Sequence, residues 1–328
     1  MLSGEYKRIV GMAPLFDPKE GITILEPPGE GKGYWIGAPG AIYDEEHKKF
    51  YIYYRRRKPR EMDGEIEVGR GYECGISEST DGINFTEIWT ASKRHFGSIS
   101  VERSAIVKIP KGKYRLYISY VSPEDNKWKI DMLEANSPGE FDPATRKPIL
   151  DPNDCDCEGV KDPYIIIVGG LYYMLVSYAT TPKAETEGLH DTADIFNTGK
   201  TSSNTGLALS SDGVDFKWMG DVLAPPGKGW NAYASRVTCV LYVPPVFNVF
   251  YDGGADVGEN YEEKTGLAIS FDLMNYHHVT LDKPLLVSPH ASGCLRYMDA
   301  IRLDGKIYYY YEYARPDGSH ELRVNIAR

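Results

Sequence analysis

The 328-residue chain lacks several features that mark common classes of protein. No stretch approaches the roughly 18 consecutive apolar residues of a transmembrane helix, and residues 1–6 lack the apolar core of a secretory signal. Basic residues are in deficit, with 37 Lys and Arg against 47 Asp and Glu and a formal net charge of −10. A nucleic-acid binder normally carries a basic footprint. We therefore predict no membrane partner, no nucleic-acid partner and a cytoplasmic location.

Cysteine is also scarce. The five cysteines are Cys74, Cys155, Cys157, Cys239 and Cys294. An odd number without regular spacing does not predict a disulfide framework. Only one residue separates Cys155 from Cys157, which is the wrong spacing for a zinc knuckle. We predict neither a metal site nor a cofactor.

Glycine, proline and tyrosine are abundant, at 33, 21 and 25 residues. Many turns between aromatic and β-branched segments indicate an all-β chain. One turn motif, Ser-x-Asp-Gly/Leu-x-Asn/Asp-aromatic, occurs at 79–85, 210–216 and 270–276. Each copy follows a short apolar strand, and an Asp-Gly pair suits a tight turn. We interpret all three copies as structural.

A longer repeat organises the whole chain. An apolar strand, a tight turn and a Tyr-rich strand recur five times, at 41–54, 105–118, 164–175, 237–251 and 300–311. Units of about 60 residues that cannot bury both faces alone are typical of a β-propeller. We predict one five-bladed propeller over 1–328, with blades at approximately 34–92, 99–150, 158–222, 231–285 and 294–328. A β-sandwich or two tandem β domains would not normally repeat the unit five times.

The fifth unit ends one strand short. We predict that an N-terminal strand, within residues 6–12 or 22–25, completes the last blade and closes the ring.

In such a ring, the residues before the first strand of each blade and those after the second strand share one mouth. Carboxylates and guanidinium groups that converge there suit acid/base chemistry on a polyhydroxylated substrate. The predicted catalytic residues are Asp162, Glu73, Glu102 and Asp299, and the predicted substrate-binding residues are Arg103, Arg236, Arg55, His190 and Tyr233. Structural alternatives are a turn cap for Asp162, an ion pair between Glu102 and Arg103, and a surface loop for His190.

The segment Lys161-Asp162-Pro163-Tyr164-Ile165, followed by Leu171-Tyr172-Tyr173, resembles the Asp-Pro strand of the five-bladed propeller glycosidases. That group includes glycoside hydrolase families 43, 32, 62, 117 and 130. The resemblance implies that Asp162 lies in a sugar pocket. Two departures accompany it. Residues 37–40 read Gly-Ala-Pro-Gly where family 43 has the Asp that serves as general base. Residues 233–236 read Tyr-Ala-Ser-Arg where the Glu that serves as general acid is expected.

The resemblance and the candidate residues together predict a glycoside hydrolase that acts on an oligosaccharide or glycoside. Inversion is favoured because most of the related families invert. One alternative is a family 130-like phosphorylase in which Arg55, Arg103 and Arg236 bind phosphate. Another is a carbohydrate-binding propeller without catalysis, motivated by the two missing acids. The sequence predicts neither the sugar nor the oligomeric state.

Overall fold

The computed structural model describes residues 10–63, 66–110, 112–183 and 187–328. This part of the chain is all-β, with 22 strands and five short 3-10 turns. The turns are Pro18–Glu20, Pro143–Thr145, Pro152–Asp154, Ile195–Asn197 and Val257–Glu259. Within these residues, no helix has the length and apolar character needed to cross a membrane.

Most strands belong to five consecutive four-stranded antiparallel sheets, which we number meanders 1 to 5. Strand β1 (Ile22–Leu25) precedes them in the chain. Meander 1 contains β2 (Trp35–Asp44), β3 (Lys49–Arg57), β6 (Glu73–Ser79) and β7 (Thr86–Ser92), and the hairpin of β4 (Met62–Asp63) and β5 (Ile66–Glu67) is inserted between β3 and β6. Meander 2 contains β8 (Val101–Lys108), β9 (Tyr114–Val121), β10 (Trp128–Ala135) and β11 (Lys147–Leu150).

Meanders 3 and 4 repeat the same order of pairing. Meander 3 contains β12 (Gly159–Val168), β13 (Leu171–Ala179), β14 (Ser203–Ser210) and β15 (Lys217–Leu223). Meander 4 contains β16 (Ala234–Val243), β17 (Val246–Gly254), β18 (Lys264–Ser270) and β19 (His277–His278).

Meander 5 combines both ends of the chain. Its C-terminal strands are β20 (Leu295–Leu303), β21 (Lys306–Ala314) and β22 (His320–Ala327). The fourth strand is β1, which pairs with β22 through Ile22 opposite Val324 and Thr23 opposite Arg323. Of the two N-terminal segments proposed for this position, 22–25 therefore supplies the strand, while residues 6–9 of the other segment lie outside the described residues.

The first strands of the meanders contact one another in the order β2, β8, β12, β16, β20, and β20 contacts β2. A separate hydrophobic cluster lies between each pair of neighbouring meanders. Successive side chains of a strand point to opposite faces, so one strand supplies two clusters. Strand β21 shows this clearly, because Tyr309 and Tyr311 pack toward meander 4 whereas Tyr308 and Tyr310 pack toward meander 1. The Tyr-rich strands are thus apolar on both faces.

Buried tyrosines need partners for their hydroxyl groups, and the repeated turns provide some of them. The Tyr310 hydroxyl donates to the Gly82 carbonyl at 2.9 Å, and the Tyr117 hydroxyl donates to the Gly213 carbonyl at 2.7 Å. Both glycines have positive φ, at 76° and 72°. The Ser-x-Asp turns therefore join one meander to the next, in agreement with their structural interpretation.

Candidate active site

Every first strand breaks its register with the second strand at a corresponding place. The breaks lie at 37–40, 101–104, 161–164, 237–239 and 296–299. A bulge re-aims the side chains around it. Ala38, Asp162 and Tyr297 all adopt the left-handed region there, with φ of 56°, 55° and 54°. Glu102 and Asp162 both raise the pKa of the buried Tyr297 hydroxyl, after burial itself. Glu102, Asp162 and Tyr297, which belong to the bulges of three different first strands, therefore lie close enough to interact electrostatically.

The second strands place charged residues opposite these bulges. Arg55 lies opposite Gly37, Asp252 opposite Arg236, and Glu312 opposite Arg296. All three lie at 1% exposure or less. Because the first strands contact one another around a ring, these charges converge at the amino-terminal ends of the first strands.

The converging residues form a chain of alternating charge, the mouth network, which consists of Glu102, Arg55, Glu312, Arg296, Glu263 and Arg236. Arg55 pairs with Glu102 through Nε and with Glu312 at 3.5 Å. Arg296 pairs with Glu312 and with Glu263, each at 2.7 Å, and Arg236 pairs with Glu263 at 2.6 Å. No member is more than 3% exposed. Buried charges are tolerated because each has an opposite partner.

The guanidinium groups fix the ionisation of two acids in this network. Burial opposes the charge of Glu263, but Arg296 and Arg236 outweigh it and lower its pKa to about 2. Glu312 is likewise buried, and Arg296 and Arg55 hold its pKa far below the ordinary range. Both glutamates are thus anions near neutral pH, and neither is suited to act as a proton donor there.

The pKa values of Asp162 and Glu102 shift in opposite directions. Burial raises the pKa of Asp162 despite the neighbouring Lys161, whose Nζ lies 3.2 Å away. Burial also acts on Glu102, but Arg55, Lys161 and Arg57 together lower its pKa. Both Asp162 carboxylate oxygens are enclosed and have no hydrogen-bond partner. One carboxyl group is therefore favoured as an acid and the other as an anion, within the same mouth.

Of the predicted substrate-binding residues, Arg55 and Arg236 both lie in the mouth network. Arg236 also donates to Ser203 Oγ at 2.6 Å and to Asn260 Oδ1 at 2.7 Å. Tyr233 reaches the site indirectly, because its hydroxyl donates to the Phe196 carbonyl at 2.7 Å. The Phe196 ring lies against both Lys161 and Arg236. Tyr233 therefore helps to position the Phe196 ring beside Lys161 and Arg236.

His190 has a different partner. Its Nε2 lies 2.9 Å from Glu158, which also pairs with Lys127 at 3.1 Å. This pairing involves no member of the mouth network.

The structure does not bring Glu73 into the network. Glu73 lies opposite Arg56 in the pairing of β3 with β6, and the two form an ion pair at 2.5 Å. Arg56 follows Arg55 directly in the strand, so its side chain and that of Glu73 project from the opposite face. The Glu73 side chain is 30% exposed. Glu73 is therefore a partly exposed charge that pairs with Arg56 away from the mouth network.

Arg103 and Asp299 lie deeper along the first strands, at the level of the bulges. Arg103 donates to backbone carbonyls of three other meanders: Pro39 at 2.9 Å, Thr238 at 2.6 Å and Met298 at 3.4 Å. Asp299 accepts from the Ala41 and Ala300 amides, each at 2.8 Å. Glu102 pairs with Arg55 rather than with its neighbour Arg103.

Both residues line a cavity of about 310 Å³ whose other walls are mainly apolar, including Ile42, Ile106 and Ile165. Burial raises the pKa of Asp299 to about 6, although Arg103 opposes the shift. The cavity lies toward the carboxyl ends of the first strands, away from the mouth network.

Two groups among the described residues combine donor types suited to a metal ion: Glu262 with Cys294 and His320, and Asp44 with Glu46 and His47. In the first group, His320 already pairs with Glu262 at 3.2 Å and with Glu312 at 2.7 Å. The hydrogen bonds of His320 are thus satisfied within the protein.

Sequence reasoning did not select Glu312, Glu263, Arg296 or His320 as candidates, although the first three fall in predicted mouth segments. A signal for one part of the network was present in the sequence. Three second strands read aromatic-Tyr-charge, at 53–55, 250–252 and 310–312. A charge directly after two strand-forming aromatics, at the same place in three units, marks a ring of buried charge. For Glu263 and His320, which lie near strand ends in different meanders, the repeat gave no comparable signal.

Solved structures provide the comparison with known proteins. A protein described as a glycoside hydrolase superposes with a TM-score of 0.68 at 15% identity, covering 94% of this chain and 90% of the other. A thermostable family-43 glycoside hydrolase gives 0.63 at 14% identity, covering 94% and 92%. The chain has the fold of the β-propeller glycosidases.

The same propeller fold is shared with a β-1,2-mannobiose phosphorylase from Listeria innocua, solved with β-1,2-mannobiose. Its TM-score is 0.60 at 15% identity, and the match covers 93% of this chain and 94% of the other. No family model and no curated protein matches the sequence. At these identities the likeness establishes the fold alone.

Proposed function

We propose that the chain is a five-bladed propeller and a glycoside hydrolase whose active site is the mouth network with Asp162. The five meanders, the cyclic contacts of their first strands and the pairing of β1 with β22 support a closed ring. Glycosidases with this fold place carbohydrate chemistry on the same scaffold. Fold alone does not determine function, so the proposal depends on the residues of the mouth.

The proposal rests on two carboxyl groups in one buried mouth whose pKa values shift in opposite directions, Asp162 upward and Glu102 downward. Asp162, with its raised pKa, would protonate the leaving oxygen of the glycoside. Glu102, held ionised by Arg55, would activate water or stabilise positive charge at the anomeric carbon. Glycosidases generally need this pair of roles. Asp162 Oδ1 makes no hydrogen bond within the described residues, whereas Oδ2 pairs with Lys161 Nζ at 3.2 Å.

We propose that the reaction inverts the anomeric centre. Inversion needs a separation of about 6.5–9.5 Å between the carboxyl groups so that water fits, against about 5–5.5 Å for retention. Nuclear magnetic resonance of the first-formed anomer distinguishes the two courses.

The test is an activity panel of aryl glycosides on wild type, Asp162→Asn and Glu102→Gln. Each variant is expected to lose about 10²–10⁴-fold in kcat, because each removes one proton-transfer group. Glu73→Gln is the matched control, since Glu73 is a carboxylate that contacts Arg56 outside the mouth network. Full activity in both mouth variants, or an equal loss in Glu73→Gln, would show that the assignment is wrong.

Phosphorolysis is a second candidate, favoured by one specific position. The bulge of the first blade carries Ala38 where a hydrolase of family 43 has its base. A phosphate nucleophile needs no such base, and the mouth is rich in guanidinium groups. Turnover that requires inorganic phosphate and releases a sugar phosphate would favour this candidate, whereas turnover in phosphate-free buffer favours hydrolysis. Sugar binding without cleavage of any glycoside would instead indicate a carbohydrate-binding propeller without catalytic activity.

A further inference from the structure

Arg57 is a buried cation without a counter-ion. Its side chain contacts the rings of Trp35 and Tyr261, with the guanidinium carbon 5.0 Å and 4.6 Å from the ring centres. The residue is 4% exposed, and Nη1 is enclosed without a hydrogen-bond partner. Among the described residues, no carboxylate lies within ion-pair distance of it. Burial and the charge of Arg55 lower its pKa, and Glu102 opposes this. A buried charge normally has a partner, so an anion is missing.

Arg55 supplies a second unused donor beside it. The two arginines lie two positions apart in β3, so both side chains project from the same face of the strand. Arg55 uses Nε for Glu102 and Nη2 for Glu312, which leaves Nη1 enclosed and without a partner. Each arginine therefore keeps one enclosed N–H donor without a partner on the same face of the strand, and buried donors rarely remain unpaired.

The charge balance favours a ligand with a single negative charge. Arg55 forms ion pairs with Glu102 and Glu312, whereas Arg57 forms none with a described residue and interacts with Glu102 only at longer range. One carboxylate would neutralise Arg57, and its two oxygens would meet the two donors. A phosphate dianion would bring a second negative charge close to Glu102 and Glu312, which are both already ionised. Arginine is suited to carboxylates because its planar group presents parallel donors.

We propose that Arg57, together with Arg55, binds the carboxylate of an acidic sugar, so that the substrate carries a uronic acid residue at the mouth. This inference rests on the proposed glycosidase function and names its substrate class. Contacts with the rings of Trp35 and Tyr261 restrict the guanidinium, so little conformational freedom is lost when the carboxylate binds. The ligand supplies the counter-ion that the fold leaves out.

Calorimetric binding of monosaccharides to the wild-type protein tests the proposal without any cleavage. The probes are galacturonate and glucuronate, each beside its neutral counterpart galactose or glucose, and inorganic phosphate. At least one uronate is expected to bind about tenfold or more tightly than its neutral counterpart, as expected for charge-assisted hydrogen bonds. The preference is expected to weaken as salt concentration rises. Equal affinity for both sugars of each pair, or binding of phosphate alone, overturns the proposal.

Arg57→Met removes the charge and keeps an unbranched apolar side chain against the two rings. It is expected to abolish the preference for the uronate. Arg57→Lys retains the charge without the planar fork and is expected to keep part of the preference. Arg56→Met is the matched control, because Arg56 lies on the opposite face of the same strand with Glu73 and Glu87. An unchanged preference in Arg57→Met also overturns the proposal.

The two proposals fail separately. Uronate binding without cleavage of any glycoside, uronides included, contradicts only the hydrolase. Cleavage of neutral glycosides with no uronate preference contradicts only the acidic-sugar inference.

Discussion

The two ends of the five first strands carry different chemistry. At their amino-terminal ends, the mouth network buries alternating acids and arginines that pair with one another. Toward their carboxyl-terminal ends, the cavity has mainly apolar walls, and its charged residues are Arg103, Lys108 and Asp299. Arg103 and Asp299, at the level of the bulges, separate the two regions.

The partners of the arginines explain what each region does. Arg55, Arg236 and Arg296 donate to carboxylates and form the buried mouth network with them. Arg103 instead donates to backbone carbonyls of three other meanders and joins them across the ring. By donating to buried backbone carbonyls, the Arg103 guanidinium stabilises the fold. The same residue type therefore pairs with acids in one region and joins strands of different meanders in the other.

Arg103→Met should produce the largest effect on stability. The change leaves the carbonyls of Pro39, Thr238 and Met298 without their donor and Asp299 without its nearby cation. Each unsatisfied buried group costs about 1–3 kcal/mol, and loss of one partner of a buried charge pair costs about 3–5 kcal/mol. We expect the free energy of unfolding to fall by about 3–5 kcal/mol, as measured by urea denaturation.

Arg302→Met is the control for that change. Arg302 is an exposed residue of strand β20, and its replacement should alter stability by less than about 0.5 kcal/mol. Unchanged stability in Arg103→Met, together with lost substrate binding, would place Arg103 in the site and break the distinction between the two regions.

Asp299→Asn should change the pH dependence of stability. The pKa of Asp299 is raised from 3.8 to about 6, mainly by burial. A raised pKa in the folded state stabilises the protein below pH 4, and this contribution is lost as the pH rises through 6. Asparagine does not titrate, so the variant should gain up to about 3 kcal/mol relative to wild type between pH 4 and pH 7. Urea unfolding at each pH unit measures the difference. Parallel stability curves for the two proteins would contradict the raised pKa.

The repeat in the sequence predicted much of this architecture. Alternation and turn chemistry are local properties, so the paired strands and the Ser-x-Asp turns were readable directly. The missing partner of the last strand predicted an N-terminal strand within 6–12 or 22–25, and the structure assigns it to 22–25. Asp162 was found because a repeat places the residue before Pro163 at the head of a first strand.

The partners of the candidate residues were not readable in the same way. Glu102 and Glu73 both precede or begin apolar strands, yet one lies in the mouth and the other on the outer face. The difference depends on a bulge in β8 and on the face that β6 presents, and neither has a signature in a single sequence. Arg57 gave no signal because its distinguishing property is the absence of a partner, which only the folded structure shows.

Asp212→Ala should produce the smallest effect, because it lies in neither region. Asp212 accepts from the amides of Val214 at 2.8 Å and Asp215 at 3.0 Å, within one of the repeated turns. Losing such a cap costs about 1 kcal/mol, and glycosidase activity should not change. Asp215→Ala, in the same turn and exposed, is the control and should be nearly neutral.

The sign of its pH dependence separates this turn from Asp299. The two amides lower the pKa of Asp212. Its contribution to stability is therefore present above pH 4 and is lost as the pH falls through its folded-state pKa, opposite to the behaviour of Asp299. The destabilisation of Asp212→Ala should accordingly shrink in acid, whereas the relative gain of Asp299→Asn appears only as the pH rises. A constant penalty at every pH would mean that the turn depends on the shape of the aspartate and not on its charge.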